Sequence, residues 1–230
     1  MTGFDLGVIA ENLPYMMRGL WITITLAVIG MGFALVLGTL LGLGRLSSLP
    51  LLSYPALLYI EVMRSTPLLM VIFWLIFFLP RISGTALDPV TSGLCALVLF
   101  YSTHVAEIIR AGIQSIPRGQ REAGLATGLG YRQTMQHIVL PQAIRNMVPA
   151  LVSRFVSLFM STSLTYIIGV VEFFRAATIV NNREFRSMEI FTFVALVYFI
   201  CCYVISQFGR WCERRLGSRR FQAVEAALGW

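Results

Sequence analysis

Charged and hydroxylated side chains stand inside stretches that otherwise read as continuous hydrocarbon. Glu61 and Arg64 lie three residues apart, and Ser65 and Thr66 follow at once. His104 and Glu107 repeat that spacing, Arg154 stands alone, and Ser161, Thr162 and Ser163 form a run of hydroxyls. A charge at the centre of a bilayer costs on the order of 3 kcal/mol, so such residues either neutralise one another or line the path of a polar solute. An arginine fork at 64 or 154 is able to hold a carboxylate through two parallel N–H bonds. Glu107 is able to meet an ammonium group, and the hydroxyls to complete the hydrogen bonds. Each group also has a plainer reading. Glu61 and Arg64 share a helical face and can cancel each other. Glu107 sits three residues before Arg110, Arg154 can snorkel to a membrane surface, and His104 can be a packed ring.

What is missing narrows the chemistry. All 18 basic residues are arginine, and the formal net charge is +7. Without lysine the chain cannot carry the GxxxxGK[ST] phosphate loop or a Schiff base. Two histidines are too few for a histidine-rich metal site. Cys95, Cys201, Cys202 and Cys212 form no CxxC pair and read as small apolar residues. No nucleophile–base pair supports an enzyme, and no cofactor is expected in this chain.

The composition, 57% hydrophobic and 13% charged, is that of an all-α membrane protein. About 20 apolar residues cross a bilayer. The pattern gives five spans in a single domain over residues 1–230, at about 19–44, 53–80, 91–110, 149–171 and 190–207. Residues 1–17 lack a basic residue, and the apolar run after them is longer than a signal core, so no signal peptide is expected. Gly38 and Gly42 form a GxxxG pair that lets another helix approach closely, within this chain or across a dimer. Arginine distribution orients the spans. Arg45, the five arginines Arg110, Arg118, Arg121, Arg132 and Arg145, and Arg210, Arg214, Arg215, Arg219 and Arg220 fall on one side. Arg18, Arg81, Arg175, Arg183 and Arg186 fall on the other, a bias of 11 to 5. The N-terminus is therefore expected outside and the C-terminus in the cytoplasm. The basic charge tracks this topology rather than nucleic acid.

The connection between the third and fourth spans, about residues 114–145, breaks the pattern. "REAGLATGLGYRQTMQHIVLPQAI" is polar and punctuated. A short helix beginning near Pro117 should stop at Gly128 and Gly130, and a second should run over about 131–140 until Pro141. Two short helices with a glycine bend make a compact cytoplasmic knob. It reads either as an amphipathic element lying on lipid or as a docking element for another protein.

The spacing here carries a resemblance. Glu122-Ala123-Gly124, three residues, Gly128, nine residues and then Ile138-x-Leu140-Pro141 resembles the EAA loop of ABC importer permeases. Gly124 departs, since the family usually has alanine there; a glycine is also small, so close approach to a partner should survive. "YIEVMRSTPLLMVIFWLIFFLP", "AEIIRAGIQSIPRGQREA", "LPQAIRNMVPALVSRFVSLF" and "TSLTYIIGVVEFFRAA" look like the polar amino-acid branch, the histidine, glutamate and glutamine type. "GRLSS", "QAIRNMVPAL" and "EFRSMEI" look most like the glutamate/aspartate membrane subunits. The resemblance implies the type I ABC importer permease fold with a coupling-helix loop, in a multi-pass bacterial inner-membrane protein. It implies that Glu122 to Gly128 seat in a cytoplasmic ATPase dimer, which binds ATP and Mg. It also implies a second permease subunit, the same or different, and a periplasmic amino-acid-binding protein. Amino-acid permeases commonly have Lys-Asp before Thr-Ser-Leu, whereas Met160-Ser161 stand here. That speaks against a cationic substrate, or leaves the substrate site to the partner subunit. A glutamine permease and an ATP-independent secondary transporter remain alternatives; the latter usually shows internal repeats, and none is visible.

Overall fold

The computed structural model describes residues 7–216; Arg219 and Arg220 of the basic tail lie outside them. The described chain is helical from end to end. Helix α1 is Gly7–Leu46, α2 Pro50–Ser65 and α3 Leu68–Ser83. Then come α4 Pro89–Gln114, α5 Arg118–Ala126 and α6 Tyr131–Ile168. Helices α7 Phe173–Glu184 and α8 Ser187–Leu216 complete it. Four of these are long and apolar enough to cross a membrane, and the α2–α3 pair, bent by 106°, passes the same test taken together, as a broken span or a re-entrant loop.

The order of packing follows from small residues. A Cβ placed on Gly38 would stand 2.6 Å from the Ser102 carbonyl oxygen, and one on Gly42 2.8 Å from that of Ala106. Gly30 faces Leu94 further up, so α1 and α4 run parallel, backbone against backbone. The GxxxG pair thus packs inside the chain. Gly112 meets Met147 and Gly93 meets Thr165, which lays α6 antiparallel on α4. Gly209 on Val152 does the same for α8 on α6. The core between them holds Ala34, Ile72, Leu97, Val105, Ala143 and Leu158.

Several boundaries differ from the apolar runs. Span 2 is not one straight helix. Thr66, forced out of the helical region by Pro67, is extended at φ −101° and ψ 133°, and the chain bends by 106° there. The short helix expected to end at 140 does not end. A π-helical turn at Met135–Val139 passes straight into Leu140–Ser161, and another at Trp74–Phe78 precedes Pro80. Proline lacks an N–H and crowds the carbonyl four residues back, and the wider turn accommodates both without stopping the helix. Pro141 is therefore a helix residue. At the other end α6 narrows to a 3-10 turn at Thr162–Ile168.

Two acids hold the far end of the bundle, away from residues 115–130. Asp88 caps α4, its carboxylate accepting from the Thr91 amide at 3.0 Å and hydroxyl at 2.6 Å. Those two donors hold its pKa below the usual carboxylate range. Glu172, fully buried, caps α7 by accepting from the amides of Phe174 at 2.8 Å and Arg175 at 2.7 Å. Hydroxyls of Thr23 on α1 and Tyr198 on α8 reach the same carboxylate at 3.4 Å.

Gly38→Leu should lower stability by about 1–3 kcal/mol, because it meets the Ser102 carbonyl oxygen, which is backbone, and the stiff Val105 side chain at its Cβ. Gly32→Ala, with nothing within 4 Å, should change it little. Thermal unfolding of the two variants in detergent checks this.

Candidate functional site

A cavity of about 580 Å³ opens between α4 and α6. It draws Arg64, His104, Glu107 and Arg154 together, four of the residues singled out in the sequence. Ser115, Asn146 and Met147 complete its polar and sulfur-bearing wall; sequence reasoning missed them because single polar residues near a helix end carry no pattern.

Glu107 organises the charge. Its carboxylate is bonded by Arg110 at 2.9 Å, by Arg64 at 3.6 Å and by Arg45. Glu61 meets Arg45 at 3.7 Å while Arg64 turns to Glu107, so the plainer alternative of a Glu61–Arg64 pair does not form. Arg64 sits in the last turn of α2, just ahead of the 106° bend, and reaches Glu107 on α4. Three guanidiniums already share the Glu107 carboxylate, which is the plainer structural role the sequence offered for it beside Arg110. Arg154, in contrast, makes no hydrogen bond or ion pair with the described residues, and it lines the cavity. His104 packs against Phe100, ring centroids 5.0 Å apart, with Nδ1 3.3 Å from that residue's carbonyl oxygen.

The hydroxyls divide differently. Ser161 shares a 2.8 Å hydrogen bond with Tyr101 of α4. Thr162 donates to the Phe159 carbonyl at 2.7 Å and Ser163 to that of Met160 at 2.8 Å. Thr66 donates to Val62 at 2.9 Å, and Ser65 stands exposed at the helix break. None of these five lines the cavity, and three of their protons are already given to local carbonyls.

The 115–141 connection folds onto the same end of the bundle. Helix α5 starts after Pro117 and ends before Gly128, which takes φ +85°. Glu122 and Ala123 are exposed, and Glu122 makes no hydrogen bond or ion pair with the described chain. Ile138 and Leu140 are half-buried, and Pro141 is exposed. Arg121 keeps a buried Nε without a partner.

A sequence profile described as "Binding-protein-dependent transport system inner membrane component" matches residues 34–218. The chain belongs to that family. The "Glutamate/aspartate import permease protein GltK" of Escherichia coli O157:H7 is 37% identical over 222 residues, 94% of this chain and 99% of that one. The "Glutamine transport system permease protein GlnP" of Escherichia coli strain K12 is 34% identical over 214 residues, 93% of this chain and 98% of that one. A solved structure titled "Crystal structure of an amino acid ABC transporter with histidines" superposes with a TM-score of 0.88 at 32% identity, over 94% of this chain and 100% of that one. The MetNI methionine ABC transporter, at 20% identity and a TM-score of 0.75 over 88% of this chain and 96% of that one, shares the fold. The resemblance to permeases of the polar amino-acid type is upheld by these matches. The chain is a multi-pass inner-membrane transport subunit with the type I importer permease fold, not an ATP-binding one.

Within the 115–141 connection, Gly124 proves to face inward. A Cβ there would stand 2.7 Å from Thr134 Cγ2 and 2.8 Å from Ile138 Cδ1. The missing methyl therefore serves packing of α5 on α6, not approach to a partner as the sequence suggested. Thr134 occupies the freed space, and its buried hydroxyl has no hydrogen-bond partner. Gly124→Ala should cost about 1–3 kcal/mol by overpacking, and adding Thr134→Ala should offset most of it. Unfolding midpoints of the two single variants and the double variant measure that coupling.

Proposed function

We propose that this permease subunit serves an ABC importer that carries glutamate or aspartate into the cytoplasm. The observation that carries the substrate class is the unpartnered Arg154 in the wall of the cavity. Arg64 stands in the same wall, and the one acid there is shared among three arginines. The surplus of charge is positive and suits a solute with two carboxylates. Met160-Ser161 add no acid to the path.

In this reading the arginine bias sets the N-terminus outside and residues 115–141 in the cytoplasm. The exposed Glu122 and Ala123 of α5, with Gly128 closing the helix, seat in one member of an ATPase dimer that binds ATP and Mg. Ile138, Leu140 and Pro141 join that helix to α6. A second permease subunit completes the pore, and a periplasmic binding protein delivers the amino acid. Glutamine is the second reading, favoured by glutamine permeases of similar identity, 34% in Escherichia coli and 38% in Bacillus subtilis.

Glu122→Lys should abolish recovery of the ATPase with the tagged permease and cut uptake by roughly tenfold or more, since it reverses the charge at a docked contact. Normal uptake by a folded variant would remove the docking role. Arg154→Ala should raise the half-saturating glutamate concentration by roughly tenfold, the loss of one charge-assisted bond, and that of glutamine by much less. Equal losses for both would transfer the assignment from acidic amino acids to polar ones in general.

A further inference from the structure

Four described residues take positive φ, and three of them are glycines, at 84, 128 and 169. The fourth is Phe185, at φ 55° and ψ 37°, where it ends α7. Glycine or asparagine normally closes a helix in this left-handed conformation, and a bulky aromatic there is a genuine outlier. Packing does not repay it. Phe185 is 85% exposed and makes no ring contact among the described residues. Met188, three residues on, is 77% exposed.

The turn around it is nonetheless firmly held. The Phe185 amide donates to Asn181 O at 2.8 Å, and the Ser187 hydroxyl to Asn181 Oδ1 at 2.9 Å. Arg183 bonds Glu184 at 2.9 Å and reaches Asn12 on α1, while Arg186 meets Glu189 at 3.5 Å. An aromatic is thus presented on a preorganised turn, inside a collar of charges that satisfy one another. That is the anatomy of an interface anchor with its polar rim.

We propose that Phe185 is the anchor by which this chain receives the extracytoplasmic binding protein. This rests on the orientation and importer role set out above. The contact to Asn12 places the turn at the end of the bundle away from the coupling loop, and the family is a component of binding-protein-dependent systems. A binding protein needs an anchor held in one position, because preorganisation lowers the ordering cost of docking. Lipid needs no such thing: an aromatic at a bilayer surface serves equally well from an unstrained backbone, and tyrosine or tryptophan serves better there.

The test uses the assembled permease–ATPase complex in lipid nanodiscs and the purified solute-binding protein that stimulates ATP hydrolysis by the wild type. The half-saturating concentration of binding protein should rise at least roughly tenfold in Phe185→Ala and equally in Phe185→Gly, which also relieves the backbone. Phe185→Trp should retain the wild-type value. Photo-crosslinking from p-benzoylphenylalanine at position 185 should yield an adduct with that same binding protein. Unchanged half-saturation in both truncations overturns the proposal, as does an adduct only with phospholipid or with another permease chain. A wild-type complex that no binding protein stimulates overturns the importer reading and this inference together.

Discussion

Two parallel helices touching backbone to backbone set the terms for everything else. At Gly38 and Gly42 nothing but hydrogen separates α1 from the carbonyls of α4. Dispersion and weak Cα–H contacts act at short range, so this approach brings the two helix axes nearer than side chains would allow. It also fixes their relative height. With Gly38 at the level of Ser102 and Gly42 at Ala106, Arg45 arrives beside Glu107. Only then is one carboxylate able to gather three guanidiniums, and only then is Arg64 turned away from Glu61. The charge in the cavity wall is a consequence of glycines three and seven residues before Arg45.

Much of this was legible in the sequence because bilayers impose a length and a polarity. The long apolar runs of α1, α4 and α8 announced themselves, and Pro117, Gly128 and Gly130 marked the first helix of the loop correctly. Local signals failed where their effect depends on surroundings. Pro141 reads as a terminator, yet a π-helical turn absorbs its missing donor and the helix continues. Pro67, only a few residues from Arg64, does break its span, because Thr66 went extended rather than helical. Nothing in the sequence around either proline distinguishes the two outcomes.

The site was legible in kind but not in pairing. Polar residues inside hydrocarbon marked Arg64, His104, Glu107 and Arg154, and the cavity gathers these four. Their partners were beyond reach. Arg45 and Glu107 are 62 residues apart, and Thr23 and Glu172 are 149 apart. A local rule finds Arg110 beside Glu107 and stops there. Glu172 escaped notice altogether, because glutamate is an uncommon cap and a lone acid between apolar residues resembles an ordinary loop charge. Gly124 was seen, but its direction was not; that depended on Thr134, which sits on a different helix.

The uninterrupted passage from Tyr131 to Ile168 has a mechanical consequence. A joint at Pro141 would let the loop swing while the span stayed still. A continuous rod about 57 Å long, at 1.5 Å per residue over 38 residues, does not permit that. The same rod carries Thr134 under α5 at one end, Asn146, Met147 and Arg154 along the cavity wall, and Ser161 against Tyr101 beyond them. Compliance is left to the short link at 127–130. A push delivered to the loop therefore reaches the cavity wall through one unbroken helix, with no coil between them to take it up.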